Sequence, residues 1–291
     1  MKSNFQEFSY TSSDGLNLYG RKYGWNNADS TPLLCLSGLT RNSNDFDPLA
    51  TFLASKDGGA KRVITLDYRG RGESDYDSDS ANYSIFTETE DVINGLMAVG
   101  VPHVHLLGTS RGGLIAMVLA AARPGIMRSV ILNDVGPEMG GPGLVRIKRS
   151  MSNIKQPDTL REAAERLEGA YKSYFPLLTK EEWLAEAKMT FQEKSGQLIL
   201  RYDPKLLDTF RTINLDVPLP TMWPQFKGLS GIPTLLIHGK LSDFLTDEIV
   251  SKMEKAHPEM QVYSSPQEGH APLLRDAPSQ QAIASFLKHH A

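Results

Sequence analysis

Short runs of consecutive apolar residues alternate along this chain with longer stretches whose apolar positions recur every three or four residues. The short runs are Leu33–Leu36, Arg62–Leu66, Val104–Leu107, Ser129–Leu132, Thr234–Ile237 and Gln261–Tyr263, and they read as strands buried on both faces. Between them, Phe46–Ser55, Glu88–Val99, Leu114–Ala122, Asp247–Lys255 and Ser279–Lys288 read as helices. Ahead of all these, Phe5–Tyr10 and Leu16–Tyr23 flank Ser13-Asp14-Gly15 and predict an antiparallel hairpin. The order predicts an α/β fold: a mostly parallel, eight-stranded sheet with helices on both faces.

The alternation lapses between Asp134 and Gly231. Gly136-Pro137 and Gly140-Gly141-Pro142-Gly143 break the chain there. Segments around Leu144–Ile154, Thr159–Tyr171, Lys180–Phe191 and Pro204–Thr212 then carry helical spacing without any strand-like run. Prolines at 218, 220, 224 and 233 punctuate the return to the strand–helix pattern. The expected organisation is therefore a core over 1–134 and 231–291, interrupted by a purely helical cap over 135–230.

Composition narrows the class of partner. The 291 residues are 40% hydrophobic, enough for a substantial core, and the net charge of −3 comes from interspersed signs. Without a sustained basic face, nucleic acid is not an expected partner. The N-terminal MKSNFQEFSY lacks the apolar run of a secretory signal, and the longest apolar run, Leu114–Ala122, is too short to span a bilayer. A cytoplasmic protein acting on a small molecule, with no membrane partner, is expected. The single cysteine, Cys35, lies inside a strand-like run and reads as a buried, inert thiol. No residue cluster calls for a metal or other cofactor.

The candidate chemistry begins at Gly108-Thr109-Ser110-Arg111-Gly112, which follows one strand-like run and opens a helix-like one. A serine in Gly-x-Ser-x-Gly between a strand and a helix sits on a turn tight enough to push its hydroxyl out of the sheet edge. Such a hydroxyl needs a base. Of seven histidines, His270 lies in a loop directly after the last strand, where open α/β sheets place their chemistry. The imidazole in turn needs an acceptor for its second nitrogen. Asp243, in the loop after the preceding strand, is favoured because it completes the order Ser, Asp, His; Asp134, after Ser129–Leu132, is the alternative acid. Backbone N–H groups of Leu39, in the loop after Leu33–Leu36, and of Arg111 are the expected oxyanion donors. Arg41 and Arg111 stand near the expected mouth as candidates for recognising an acidic substrate, and the aromatic-rich cap offers Trp223 as a further substrate-binding candidate. The bland reading of Arg41 is a local pair with Asp45 or Asp47.

Taken with Ser37-Gly38-Leu39, Asp67-Tyr68-Arg69-Gly70-Arg71-Gly72-Glu73-Ser74 and Asn133-Asp134-Val135-Gly136-Pro137, these motifs resemble the α/β-hydrolase superfamily over essentially the whole chain. Ser37 stands where that family commonly has histidine. The 67–74 turn reads as structural, with its Arg and Asp paired locally. The resemblance implies acyl transfer to water through an acyl-serine on a small carboxylic ester. It also keeps in view hydrolysis of a carbon–carbon bond in ring-fission-type diketo acids, cofactor-free non-hydrolytic chemistry (perhydrolase, dioxygenase or lyase), and a non-catalytic ligand-binding member of the fold. The serine at the elbow argues against the alkyl-enzyme chemistry of relatives that carry aspartate there.

Overall fold

The computed structural model describes residues 4–27, 30–152, 156–208 and 220–291. Its strands are β1 (Phe5–Thr11), β2 (Asn17–Tyr23), β3 (Leu33–Leu36), β4 (Val63–Leu66), β5 (Val104–Thr109), β6 (Met127–Asn133), β7 (Phe191–Lys194), β8 (Gln197–Leu200), β9 (Thr234–Gly239) and β10 (Gln261–Ser265). Among the described residues, eight of them form one sheet in the order β1-β2-β4-β3-β5-β6-β9-β10. From β4 to β10 every neighbouring pair is parallel, while β2 runs antiparallel to both β1 and β4. The fold expected from the hydrophobic pattern is the one observed.

The helices are α1 (Asp47–Ala54), α2 (Ile85–Ala98), α3 (Arg111–Ala122), α4 (Gly141–Ser152), α5 (Leu160–Tyr171), α6 (Lys180–Thr190), α7 (Trp223–Lys227), α8 (Asp247–Ala256) and α9 (Ala277–His289). Local chemistry starts several of them. Ser84, Thr159 and Thr246 each accept a backbone N–H of the first turn, and Thr179 with Glu182 forms a reciprocal capping box on α6. Alternate residues of one strand feed two cores. Leu34 and Leu36 of β3 join the core that includes residues of α2, α3 and α8, whereas Leu33 and Cys35 join the one that includes residues of α1 and α9. That two-sided burial is why the strands read as continuous apolar runs. Burial also pushes the Cys35 thiol well above its ordinary range, in keeping with an inert thiol.

Between β6 and β9 the chain leaves the sheet for α4, α5, α6, the hairpin β7–β8, and α7. The hairpin departs from the purely helical expectation. Ser195 and Gly196 both take positive φ between its strands, so the turn closes within two residues and the apolar Phe191 and Leu198 fold onto Trp183 and Phe175. Periodicity failed here because four-residue strands are too short to separate from a helix end. Of the expected segment Pro204–Thr212, Pro204–Leu207 forms a 3₁₀ turn, and 209–219, with Phe210, lie outside the described residues, as do 153–155 and the side chain of Met151. Among the described residues no helix is long and apolar enough to cross a membrane.

Candidate active site

The order β4-β3-β5 places the turning point of the sheet between β3 and β5, where consecutive connections diverge and leave a crevice at the strands' C-terminal ends. Ser110 leaves β5 at this crevice. Its φ of 50° and ψ of −109° lie outside the regions favoured by side-chain-bearing residues, the signature of a strained elbow. The strain is held by packing in which side chains have no room. A Cβ on Gly108 would sit 2.4 Å from the Gly112 carbonyl carbon, and one on Gly112 would sit 2.3 Å from the Leu36 carbonyl oxygen. Ser110 N–H donates to the Asn133 carbonyl, and the Gly113 and Leu114 N–H groups donate to the Ser110 carbonyl, tying the turn into β6 and α3.

His270 meets this serine. Its Nε2 lies 3.0 Å from Ser110 Oγ, and its Nδ1 lies 2.8 Å from Asp134 Oδ2. The two residues singled out first, Ser110 and His270, are thus brought together across 160 positions of sequence. The acid at the ring is Asp134, and the expectation of Asp243 is corrected. Asp134 follows β6 in a left-handed conformation (φ 54°) that aspartate tolerates better than most residues, and its side chain is fully buried. The end of β9 and the loop after it wrap it: Gly239 N–H donates to Oδ1 at 2.9 Å, and Ser242 Oγ donates to Oδ2 at 2.6 Å. With Ser242 turned inward, Asp243 faces the other way. Its carboxylate takes a two-pronged bond from Arg146 of α4, at 2.7 and 2.8 Å, and a third from the Tyr174 hydroxyl at 3.0 Å. Burial would raise the Asp243 carboxyl, but Arg146 and Tyr174 outweigh it and hold it below the ordinary range.

Three residues that sequence reasoning passed over complete the setting. The Phe244 ring stacks on the His270 ring with centroids 4.1 Å apart, covering one face of the imidazole. Asn133 donates from one side-chain amide to Thr109 Oγ1 and to the Pro272 carbonyl, linking the elbow to the histidine loop. Glu268 accepts from Leu273 N–H and Ser265 Oγ, bracing that loop from within. The Asn133-Asp134 pair carries a signal in the sequence: an amide and an acid where a strand reaches the edge that holds Ser110.

Beside the serine, the loop after β3 approaches closely. A Cβ on Gly38 would stand 3.9 Å from Ser110 Cβ. Leu39 follows it, and Arg111 opens α3, so the N–H of Arg111 belongs to the unsatisfied first turn of a helix, a natural place for negative charge. The Arg111 side chain points away from the mouth, into a buried pair with Glu88 and onto the Tyr83 carbonyl.

Ser110 and His270 open onto a cavity of about 700 Å³. The inserted segment supplies much of its wall, including Leu167, Tyr171, Phe175, Trp183 and Phe191, and Leu39, Pro272 and Leu273 supply another part. Arg41 reaches this cavity already paired. Its guanidinium grips Asp45 with two bonds of 2.7 Å and Glu186 of α6 with one of 2.9 Å. The local pairing with Asp45 is as the bland reading expects, while Asp47 pairs with Arg21. Trp223, expected as a lining residue, is corrected: its indole donates to Glu138 at 2.6 Å, its ring packs edge-on against Phe226, and it is not among the residues around the cavity. Trp223 opens α7 and packs against the sheet core rather than the crevice.

The motif 67–74 differs in detail from its local-pair expectation. Asp67 accepts the backbone N–H groups of Ser43 and Glu73, not an arginine of its own turn. Arg69 instead bonds Asp14, Asp77 and Asp91, and Arg71 bonds Glu88.

Residues 31–277 match the model of a family described as the alpha/beta hydrolase fold. The chain is 31% identical over 264 residues to a 3-hydroxybutyrate-oligomer hydrolase of Cupriavidus necator, covering 88% of each chain. It is 27% identical over 288 residues to the sn-1-specific diacylglycerol lipase ABHD11 of Mus musculus, covering 92% of this chain and 89% of the other. A crystal structure of an alpha/beta hydrolase from Novosphingobium aromaticivorans superposes with a TM-score of 0.90 at 35% identity, over 99% of both chains.

Proposed function

The chain belongs to the α/β-hydrolase fold family and is an enzyme of that class, and on this premise we propose that it is a serine esterase cleaving a small carboxylic ester through an acyl-enzyme on Ser110. The observation that carries the reading is the continuous relay from Ser110 Oγ through the His270 ring to Asp134, with contacts of 3.0 and 2.8 Å. In this mechanism His270 Nε2 takes the hydroxyl proton as Ser110 Oγ attacks the ester carbonyl carbon. The carbonyl oxygen becomes an oxyanion facing the N–H groups of Leu39 and Arg111. Collapse breaks the bond to the alkoxy oxygen, which leaves as an alcohol carrying the proton from His270. Water, deprotonated by the same nitrogen, then attacks the acyl-serine, and collapse releases the acid as Ser110 Oγ takes the proton back from His270. Asp134 holds the imidazole in the tautomer whose Nε2 is free to accept and stabilises the imidazolium formed in between.

Residues 135–230 serve in this reading as the cap that closes the crevice and keeps the acyl-enzyme in an apolar chamber. The wall favours a substrate with an apolar acyl chain. Arg41 is engaged by Asp45 and Glu186, which supports a neutral ester over a diketo acid whose recognition would need an uncompensated guanidinium. The names of the Cupriavidus and mouse relatives, a hydroxyacid-oligomer hydrolase and an acylglycerol lipase, are both those of ester-cleaving enzymes and point the same way. Short oligoesters and monoacyl esters are the substrates to try first. Turnover of a p-nitrophenyl butyrate panel by the wild type and Ser110→Ala tests the reading. A loss of about 10⁶-fold in kcat is expected, together with a phosphonate adduct on Ser110. Full activity of the alanine variant, or a phosphonate bound elsewhere, would sink it.

A further inference from the structure

The motif 67–74 reads from sequence as a structural turn, yet one of its arginines reaches the loop beside the serine. Arg71 Nε donates to the Leu39 carbonyl at 2.8 Å. Its Nη1 donates to the Arg69 carbonyl and to Glu88 Oε1, each at 2.7 Å. The other oxygen of the same carboxylate, Glu88 Oε2, accepts from Arg111 Nε. Glu88 therefore stands between the two residues whose N–H groups face the oxyanion in the mechanism above. It sits on α2, fully buried, and Arg71 is fully buried beside it.

We propose that Glu88 is a positioning residue that sets both halves of the oxyanion-binding pocket at once, through Arg71 to Leu39 and directly through Arg111. The inference rests on the serine-esterase reading. Its physical content is a clamp on one peptide unit. Upstream of that unit, the Ser37 carbonyl accepts from Gly112 N–H at 3.1 Å and from the Tyr68 hydroxyl at 3.3 Å. Downstream, the Leu39 carbonyl accepts from Arg71. With both flanking carbonyls held, the peptide joining Gly38 to Leu39 has little freedom to rotate, and its N–H keeps one direction. On the other side, Arg111 is held by Glu88 and by the Tyr83 carbonyl, 2.8 Å from Nη2, which steadies the first turn of α3.

Electrostatics acts in the same sense. The two guanidiniums bind one carboxylate in surroundings where charge is poorly screened, which strengthens both arms. Arg71 also lies over the faces of Tyr68 and Tyr83, at 5.4 and 5.6 Å from their centroids, which fixes its plane. Glutamine at 88 can offer an oxygen to only one of the two arginines and must present N–H groups to the other. One arm of the clamp then opens, and the two guanidiniums repel without a counter-charge between them.

The test compares the wild type with Glu88→Gln and with Arg71→Lys, which keeps the charge but loses the planar fork that reaches Leu39. Phosphonate titration of Ser110 comes first; if no serine reacts in the wild type, the esterase reading falls and this inference falls with it. Two inhibitors are then used: a trifluoromethyl ketone, whose adduct with Ser110 carries an oxyanion, and the corresponding secondary alcohol, which fills the cavity without one. The expected result is a kcat lower by about 30- to 100-fold with KM within about threefold, since displacing a donor by a fraction of an ångström weakens only the transition state. Affinity for the trifluoromethyl ketone should fall by a similar factor and affinity for the alcohol should hold. Wild-type kcat in folded Glu88→Gln, or equal loss for both inhibitors, overturns the proposal while leaving the esterase reading intact. Should Glu88→Gln not fold, Arg71→Lys decides by the same split.

Discussion

Replacing Asp134 and Asp243 by asparagine, one at a time, separates the two acids that share this edge of the sheet. Asp134 is fully buried and receives three hydrogen bonds: His270 and Ser242 on Oδ2, Gly239 on Oδ1. Asparagine has one oxygen to divide among them. If its amide nitrogen takes the Oδ2 position, it donates to His270 Nδ1, the ring proton moves to Nε2, and the base can no longer accept from Ser110. If the amide flips, two donors confront each other at Gly239, at a cost of about 1–3 kcal/mol in a buried site. The first arrangement should prevail, and the wrong tautomer lowers kcat by about 10⁴-fold, or roughly 5.5 kcal/mol of transition-state stabilisation. Asp243→Asn instead weakens the grip on Arg146 and Tyr174, which hold the inserted segment against the loop after β9. It should change kcat by less than about tenfold and fall mainly on KM, as expected when uniform binding is lost. Steady-state kinetics with p-nitrophenyl butyrate, with thermal melts to exclude unfolding, read both. Equal losses for the two variants, or an Asp134→Asn enzyme within tenfold of wild type, would refute the assignment.

Two further outcomes follow from the geometry. Gly112→Ala puts a methyl 2.3 Å from the Leu36 carbonyl oxygen, a main-chain atom of a central strand that cannot swing aside. Loss of soluble folded protein, or a melting point lower by about 10 °C or more with activity abolished, is expected from overpacking at this severity; an active enzyme with an unchanged melt would show the elbow to be looser than its contacts suggest. His105, buried in β5 with Nδ1 2.8 Å from Ser129 Oγ, is lowered by burial from 6.5 to about 4. The unfolded chain therefore takes up a proton below pH 6.5 that the folded chain refuses until about pH 4, so stability falls as pH drops through that window, by about 3 kcal/mol in total, and does not fall further from this group below it. Urea unfolding at pH 7 and pH 4.5 should show the loss in the wild type and a smaller one in His105→Asn, whose side-chain oxygen can take the Ser129 bond; parallel slopes would remove His105 as the source.

Much of this protein could be read along the chain because its causes are local. Leu33–Leu36 had to be a doubly buried strand, since four consecutive apolar residues between polar breaks leave no face for water. Ser110 was legible because its turn allows side chains at neither Gly108 nor Gly112, and His270 because a loop after the final strand emerges at the same edge of the sheet as Ser110. The hairpin at Phe191–Leu200 was not legible, its strands being too brief for a period to show. Nor was the acid. Asp134 and Asp243 both follow strands that end at the same edge, and Ser, Asp, His is the chain order with either one. What separates them is the turn of a loop: Ser242 folds inward onto Asp134 while Arg146, contributed by a helix nearly a hundred residues earlier, draws Asp243 outward. Arg71 and Trp223 tell the same story, for each side chain's partner lies on another element. Hydrophobic period and turn chemistry act between neighbours in sequence, so sequence alone determines the sheet, the elbow and the loop that carries His270. The partner of a buried charge depends on which distant carboxylate arrives within 3 Å of it, and only the packed chain decides that.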